Sequence, residues 1–308
     1  GMLFELAATK QEYSAELAAF NNRIIRPLSG YDLPMIRLSR ETERAGIGSI
    51  FAQANSAGLQ MDVFDLLTAV FASEDPSFHL AADWQEVEKD LRKSPALDGI
   101  GRTEFLSAVS LLVSGEKGCA GGQREDILKL SLAEYKSAAN DLRITFREVS
   151  EFLAQRCILS MDQVPFNEQI VPLAVIIARL AKRGGALSTE QSWNRINQWF
   201  WCGVFGELYG SSAVQLRAAR DVDEVTDWVA GATDEVPKTV TDATFRESRL
   251  LSVDDKDGVW HGLYAILMAR GAKDWRTGKA FTRHTFEELK PGFFPVFPLN
   301  WCKRHGVD

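Results

Sequence analysis

Apolar residues recur at helical spacing through most of this chain, and no segment keeps the alternation of apolar and polar residues that is typical of a β-strand. The clearest case begins at Pro165 and ends at Arg183, where the apolar run 170–178 is followed by two glycines, Gly184 and Gly185. The pattern predicts an all-α, multi-helical protein.

Three sequences have the spacing of a capping box, in which a Ser or Thr at the helix N-cap pairs with a Glu or Gln three residues later. They are Ser131-Leu-Ala-Glu134, Thr145-Phe-Arg-Glu148 and Ser188-Thr-Glu-Gln191. The first two predict consecutive helices over 131–141 and 145–157, and the third predicts the start of an aromatic-rich helix. Further helices are expected at 212–220, 223–230 and 259–270, with a loop or short strand at 237–241.

The helices are predicted to form two lobes, an N-terminal lobe of residues 1–184 and a C-terminal lobe of residues 185–308. The boundary is placed at the glycine pair that ends the buried helix. An irregular, basic tail is expected from about residue 279, because Pro291, Pro295 and Pro298 follow one another closely and proline cannot donate a backbone hydrogen bond.

Composition places the chain among ordinary globular proteins. Of its 308 residues, 45% are hydrophobic and 25% are charged, which argues against disorder. The longest clean apolar run has nine residues, whereas a membrane-spanning helix needs about 20, so a membrane protein is not expected. The cysteines are scattered, at 119, 157, 202 and 302, which is typical of reduced thiols and favours a cytoplasmic location.

Charge is distributed unevenly along the chain. The formal net charge is −7, yet residues 270–308 carry eight basic and four acidic side chains, so this segment is +4 and the remainder is −11. The acidic total does not favour a broad nucleic-acid surface, since affinity for phosphates comes largely from Lys and Arg. The basic residues of 270–304 nevertheless leave open a local DNA-binding surface.

The most distinctive local feature is an aromatic segment at 193–209. Its large rings are Trp193, Trp199, Phe200, Trp201, Phe205 and Tyr209. Such rings can stack on bases, but their burial in a helical core is the favoured interpretation. Glu207 interrupts the apolar stretch, and a carboxylate there needs a partner, for which Arg195, Arg217 and Arg220 are the candidates.

Several polar residues are candidates for a functional site, although the sequence assigns no catalytic, cofactor-binding or metal-binding role. They are Asn55, Glu207, Arg217, Asp221, Asp274, His284 and His305. The sequence has neither a His-Glu-x-x-His pattern nor paired cysteines, and Gly-x-Ser-x-Gly is absent. The glycine-rich segment 115–122 lacks the ending of a phosphate loop, so a mobile loop is expected there.

Seven short segments recur together in an order that points to a known family. They are Tyr31–Leu38, Ile50-Phe51, Asn55–Gly58, Phe64–Ala69, Trp199–Gly210, Gly271–Gly278 and Trp301-Cys302. In this order and approximate spacing the chain resembles the GmrSD-type family of modification-dependent, type IV restriction endonucleases and their relatives. The similarity extends over about residues 31 to 302, and the aromatic block is its most specific part.

The resemblance implies a protein of three parts. These are a nucleotide-handling N-terminal domain with an Asp-Gly-Gln-Gln-Arg motif, a helical middle region, and a C-terminal His-Asn-His nuclease module with a His-His-Ile-Phe-Pro motif. This chain matches the middle region. The first motif is absent from the sequence, and Pro291 and Gly292 stand where the family has histidines, so no catalytic residue is carried over.

Three hypotheses about function follow. The first is a non-catalytic helical interaction or linker module of a defence-related protein, which binds a protein partner or a separate nuclease or nucleotide-binding domain. The second is a divergent metal-dependent nuclease that uses His284 and His305 with carboxylates of the tail. The third is a DNA-binding module that acts through the basic residues of 270–304. No cofactor and no membrane partner is expected.

Overall fold

The structure is a computed structural model that describes residues 14–32, 62–210, 213–289 and 297–306. The chain divides into two compact units, residues 1–47 and residues 48–308. Throughout the described ranges the regular elements are helices, and extended pairing is limited to one antiparallel bridge between Lys273 and Ala280. The predicted all-α fold is therefore confirmed.

The first unit contains one helical segment within its described residues. Helix α1 (Ser14–Phe20) continues into a π-helical turn (Asn21–Ile25) and then into helix α2 (Arg26–Ser29). Pro27 lies at the start of α2, where proline is tolerated, and the helix continues for two residues beyond it. Gly30 is the C-cap residue, and its amide donates to the Arg26 carbonyl at 3.1 Å.

The second unit contains the other helices of the described chain. In chain order they are α3 (Val63–Glu74), α4 (Leu80–Leu91), α5 (Arg102–Glu116), α6 (Arg124–Ile127), α7 (Leu132–Ala154), α8 (Ile170–Lys182), α9 (Glu190–Phe205), α10 (Val214–Val229), α11 (Lys238–Thr241), α12 (Gly258–Ala269), α13 (Arg283–Leu289) and α14 (Leu299–His305). Short 3-10 turns are formed by Pro95–Leu97, Met161–Gln163, Asn167–Gln169 and Glu247–Leu251.

Helix α8 lies at the centre of this unit because its sequence is apolar on every side. Every residue from Ile170 to Leu180 is buried, and α8 packs against α5, α7 and α10. Pro172 is tolerated because it lies in the first turn, where backbone amides have no intrahelical acceptor. The hydrophobic cluster around α8 includes residues from both sides of Gly184, and the division into two lobes stays a prediction.

The capping box predicted at the start of α7 is confirmed. The Ser131 hydroxyl accepts a hydrogen bond from the Glu134 amide at 3.3 Å, and the Glu134 carboxylate accepts one from the Ser131 amide at 2.9 Å. Lys117 also donates to Glu134 at 2.7 Å, and this hydrogen bond together with those from Ser131 lowers the pKa of Glu134 to about 2. Local sequence therefore determines where α7 begins.

Helix α7 then continues through the point where the sequence predicts a second helix to begin. The predicted pair, 131–141 and 145–157, forms one helix that ends at Ala154. Thr145 is buried, and its hydroxyl donates to the Asp141 carbonyl at 3.0 Å instead of capping a new N-terminus. The prediction is wrong because a Thr hydroxyl can also bond to the carbonyl four residues back in its own helix.

Three other predicted boundaries also change. Helix α10 joins the two helices expected at 212–220 and 223–230, and its buried residues, which include Val222 and Val225, follow one continuous face. The loop or short strand expected at 237–241 is the short helix α11. Helix α9 begins one residue later than its capping box predicts, because Thr189 is the N-cap and its hydroxyl accepts from the Ser192 amide at 3.2 Å.

The predicted helix at 259–270 is confirmed as α12. The tail is less irregular than expected from about residue 279, since α13 and α14 lie within it, and the proline-containing residues 290–296 between them fall outside the described chain. None of the described helices combines the length and the apolar character that crossing a bilayer requires.

Candidate functional site

Helix α9 buries the aromatic segment because its apolar residues follow the helical repeat. The buried members are Ser192, Ile196, Trp199, Phe200, Gly203 and Val204. Trp199 is fully covered, and its ring meets that of Tyr209 edge to face, with centroids 6.1 Å apart. The interpretation of these rings as core is confirmed for Trp199, Phe200 and Tyr209, while Trp193, Trp201 and Phe205 are partly buried and pack against that core.

A left-handed turn ends α9 and returns the chain so that Tyr209 packs against Trp199. The Leu208 amide donates to the Gly203 carbonyl at 3.0 Å, and the Glu207 amide donates to the Val204 carbonyl at 3.1 Å. This pair of bonds is a Schellman motif, in which glycine usually takes the left-handed position. Here that position, with a φ of 54°, is taken by Glu207.

The neighbouring glycine, Gly206, is required for a different reason. A Cβ at Gly206 would lie 2.7 Å from the Cys202 carbonyl oxygen and 3.2 Å from Ala243 Cα. Close packing of the backbone therefore requires glycine at position 206. The left-handed conformation is adopted by the next residue, Glu207. A glutamate at positive φ stores strain of about 1 kcal/mol.

Glu207 is exposed, and its partner is Arg249 rather than any of the three predicted arginines. The Arg249 guanidinium donates to both carboxylate oxygens of Glu207, at 2.8 and 3.1 Å. The predicted partners bond elsewhere: Arg195 donates to the Trp228 carbonyl and Arg217 donates to Thr239, while Arg220 lies 3.8 Å from Glu224. An exposed pair of this kind stabilises the fold by at most about 1 kcal/mol.

The structure brings together two other predicted residues, Asp221 and Arg217, around a buried carboxylate. Asp221 is fully buried on α10 and accepts hydrogen bonds from Tyr209 Oη at 2.5 Å, Trp199 Nε1 at 3.0 Å and Thr239 Oγ1 at 2.7 Å. We call these four residues the Asp221 cluster. Arg217 joins it through Thr239, to which its Nη1 donates at 3.2 Å.

Burial and charge oppose one another in the Asp221 cluster. Burial raises the pKa of the Asp221 carboxyl, although the hydrogen bonds from Tyr209, Trp199 and Thr239 and the charge of Arg220 act to lower it. Burial, followed by the charge of Asp221, also raises the pKa of Tyr209 well above its usual range. Tyr209 therefore stays a hydrogen-bond donor at any physiological pH.

The hydrogen bonds of the Asp221 cluster link several segments of the fold. Its three donors come from α9, from the turn after α9 and from α11, while the carboxylate itself belongs to α10. A buried carboxylate stabilises such an arrangement only when several donors satisfy it, as they do here. The two cavities described below are lined by other residues.

Asp274 organises a tight turn near the C-terminal end of the described chain. Its carboxylate is buried and accepts from the Thr277 amide at 2.8 Å, the Thr277 hydroxyl at 2.9 Å and the Arg276 amide at 3.1 Å. Burial acts to raise the pKa of Asp274, but the Thr277 bonds and Arg276 together lower it. The turn leaves Trp275 87% exposed, between the exposed side chains of Lys273 and Arg276.

A second group of exposed rings lies at α14. His305 stacks on Trp301 with centroids 4.1 Å apart, and Trp301 stacks on Phe297 at 5.3 Å. We call these three residues the C-terminal ring stack. All three are exposed, as are Lys303 and Arg304 on the same helix. The remaining candidate histidine, His284, is exposed on α13.

The glycine-rich segment 115–122 is tied to its surroundings and borders a polar cleft. Ser110 Oγ donates to the Gly121 carbonyl at 2.7 Å, and the Ala120 amide donates to Asp223 at 3.0 Å. The cleft, of about 460 Å³, is lined by Gly115, Glu116, Gly118, Arg179, Lys182, Arg183, Asp223 and Asp227. Its three cations all pair with carboxylates, so its charges are already matched: Arg179 with Asp223, Lys182 with Glu116 and Asp141, and Arg183 with Asp227.

The exposed tryptophans are the functional candidates that the polar-residue analysis missed. Trp275 lies between two cations in a segment bounded by Gly271 and Gly278, and this pattern was available in the sequence as a signal. Trp301 and His305 stack because they lie four residues apart on α14, and Phe297, which precedes the N-cap Pro298, stacks on the other side of Trp301. These tryptophans become candidates because they are exposed, and exposure is known only from the folded structure.

The candidate Asn55 lies outside the described residues, and within them no three His, Cys, Asp or Glu side chains gather as a metal site would require. The nuclease hypothesis for His284 and His305 thus stays a prediction. No protein-family model, curated protein or solved structure matches this chain.

Proposed function

We propose that this chain is a helical interaction module of a GmrSD-like, defence-related protein, and that its segment 270–305 binds DNA. The observation that supports DNA binding is the exposure of aromatic rings beside cations. Trp275 lies between Lys273 and Arg276, and the C-terminal ring stack lies beside Lys303 and Arg304. Rings that stack on bases and cations that contact phosphates are the two elements of a single-strand binding surface.

The charge distribution favours binding by this segment alone. Within the described chain, Lys273 and Lys303 have no carboxylate partner, whereas Lys279 pairs with Glu288 at 2.9 Å. The unpaired ammonium groups are free to contact phosphates. The rest of the chain outside 270–305 carries a net charge of −12 and repels a polyanion, so it confines contact to the basic segment.

The helical body has a different part in this proposal. Trp199 and its neighbours, the most specific block of the resemblance, build the core around the Asp221 cluster. Because these residues build the core and not a surface, they support a scaffold role for the helical body. In this role the helical body positions the DNA-binding segment and a partner domain. Hydrolysis of DNA or nucleotide by the purified protein with Mg²⁺ or Mn²⁺, lost in His284→Ala, would favour the nuclease hypothesis instead.

Fluorescence anisotropy with a labelled single-stranded oligonucleotide and its duplex tests DNA binding directly. We expect the single strand to bind at least as tightly as the duplex, since stacking requires exposed bases. The affinity should fall steeply between about 50 and 200 mM salt, because phosphate contacts release counterions. Binding that does not respond to salt would contradict the proposal.

Substitutions of the exposed tryptophans test whether segment 270–305 is the DNA-binding surface. Trp275→Ala and Trp301→Ala should each weaken single-strand binding by about fivefold to a hundredfold, the range for losing one stacked base. Leu251→Ala is the matched control, because Leu251 is 94% exposed and lies outside the segment. If both tryptophan variants bind like the unchanged protein, or if the control weakens binding equally, segment 270–305 is not the DNA-binding surface.

A further inference from the structure

A cavity of about 270 Å³ lies between α4 and α7, beside the 3-10 turn Pro95–Leu97. An apolar protein cavity of about 150 Å³ is large enough to hold benzene. The space between α4 and α7 therefore accommodates a small organic molecule. It is separate from the Asp221 cluster and from the described residues of segment 270–305, which contribute none of its lining.

The floor of the cavity is apolar. Val87 and Leu91 from α4, Leu97 from the 3-10 turn and Phe146 from α7 line it, and all four are buried. Contact with an apolar group is the main stabilisation that such a floor can offer, at about 25 cal/mol per Å² of apolar surface covered. The floor thus favours the hydrocarbon or aromatic part of a ligand.

Two buried hydroxyls interrupt this floor. Ser150 Oγ donates to Ser94 Oγ at 2.7 Å, and both side chains line the cavity. A hydroxyl carries one proton, so the Ser94 proton remains available after this bond, and within the described chain it has no protein acceptor. A buried donor of this kind is satisfied when a ligand brings an acceptor.

The rim of the cavity carries three cations, Lys93, Arg143 and Arg147, and two carboxylates, Asp90 and Glu151, so one positive charge is in excess. Lys93 and Arg143 both pair with Asp90, at 2.6 and 2.7 Å, and their hydrogen bonds lower the pKa of Asp90 to about 2. Asp90 therefore remains ionised and is shared between two cations. Arg147, exposed on α7, lines the same rim and has no carboxylate partner among the described residues.

We propose that this cavity binds a small amphiphilic anion, with its apolar part on the floor and its acid group between Arg147 and the Ser94 hydroxyl. A fatty or aromatic carboxylate has this chemistry. The apolar floor excludes a free inorganic anion as the preferred ligand, and the net positive charge of the rim disfavours a cation.

Calorimetric titration of the full chain with three probes of equal length tests the charge preference. Octanoate is the anion, octanamide is its neutral counterpart and octylammonium is the cation. We expect octanoate to bind most tightly and octylammonium least. Equal binding of the three probes, or tighter binding of the cation, would overturn the proposal.

Variants then place the ligand. Arg147→Gln should weaken octanoate binding by about twofold to fivefold, the range for one exposed ion pair, and should leave octanamide unchanged. Lys89→Gln is the matched control, since Lys89 is an exposed cation on α4 that does not line the cavity. An equal loss in Lys89→Gln would show that general charge, and not Arg147, is responsible, and would refute the assignment.

A third variant tests the floor. Val87→Phe adds a ring within the cavity and should abolish binding of all three probes, while thermal unfolding reports whether the variant is folded. If folded Val87→Phe still binds octanoate with unchanged affinity, the ligand lies elsewhere and the proposal is wrong. Should Val87→Phe fail to fold, the Arg147→Gln result still decides, because that residue is on the surface.

Discussion

Two aspartates, Asp221 and Asp274, show how the same residue type is used in opposite ways. Both are buried, and each is associated with a tryptophan. Asp221 receives its hydrogen bonds from Trp199, 22 residues away in sequence, and from Tyr209 and Thr239. Asp274 is bonded by residues two and three positions later in the chain.

The consequence is a difference in what each carboxylate controls. The Asp221 cluster links α9, α10 and α11, so its loss should be felt by the whole helical body. The Asp274 bonds close a local turn, whose effect is to hold Trp275 out in solvent. The bonds of Asp221 thus join distant segments of the fold, whereas those of Asp274 shape one exposed turn.

The largest expected effect is a difference in unfolding free energy between alanine variants of Trp199 and Trp275. Trp199→Ala removes a fully buried ring and one donor to Asp221, and should lower the free energy of unfolding by about 3–5 kcal/mol. Trp275→Ala should change it by less than about 0.5 kcal/mol, because its ring is in solvent. Urea denaturation of both variants measures this. Similar losses would mean that the two regions do not differ as described.

The next effect concerns the donors to each carboxylate. Tyr209→Phe keeps the ring but removes the hydroxyl that donates to Asp221, and should cost about 1–3 kcal/mol of unfolding free energy. Thr277→Ala removes one hydroxyl donor from Asp274 and should cost less than about 1 kcal/mol, since backbone amides still bond to that carboxylate. Tyr31→Phe, at an exposed tyrosine, is the control for the loss of a phenol.

The turn that returns Tyr209 to Trp199 permits a test of backbone strain. Glu207→Gly should be more stable than Glu207→Ala by about 1 kcal/mol, because only glycine adopts the left-handed conformation without cost. Both variants lose the Arg249 ion pair, so the difference between them isolates the backbone. A more stable alanine variant would show that residue 207 does not have a positive φ in solution.

The smallest effect is the pH dependence, and its sign should differ between the aspartates. The pKa of Asp221 is raised on folding, so its contribution is present below the unfolded pKa near 3.8 and is lost as pH rises through the folded value. The pKa of Asp274 is lowered, so its contribution is present above 3.8 and is lost as pH falls through the folded value.

Asparagine variants measure these two slopes. The cost of Asp221→Asn should grow as pH falls, because the unchanged protein is then relieved of a buried charge. The cost of Asp274→Asn should shrink as pH falls, because the unchanged protein then loses its bonds to an ionised carboxylate. Urea denaturation from about pH 3 to pH 7 compares them, and slopes of the same sign would contradict the assignments.

Much of the fold was predictable because its signals are local. The helical repeat predicted an all-α chain, the apolar run predicted the buried helix α8, and Ser131 and Glu134 predicted the start of α7. The errors occurred where one local pattern has two physical outcomes. Thr145 is one example, since its hydroxyl can cap a helix or bond within it.

The candidate site was harder to predict because it depends on contacts between distant segments. Asp221 and Arg217 were named as polar candidates, but their link through Thr239 exists only once α11 packs beside α10. The apolar stretch around Glu207 predicted a partner among Arg195, Arg217 and Arg220, but Glu207 is exposed and pairs with Arg249, 42 residues away. No spacing rule connects residues at that separation.

The amino-acid sequence by itself determined that this chain is helical, that the rings of α9 belong to a core, and that positive charge is concentrated after residue 270. Periodicity, capping and composition act over a few residues, so they can be read without a fold. Only the tertiary structure decided which carboxylates are buried, which tryptophans remain exposed and where a cavity forms. These properties depend on how distant helices exclude water from one another, and that is set by packing of the whole chain.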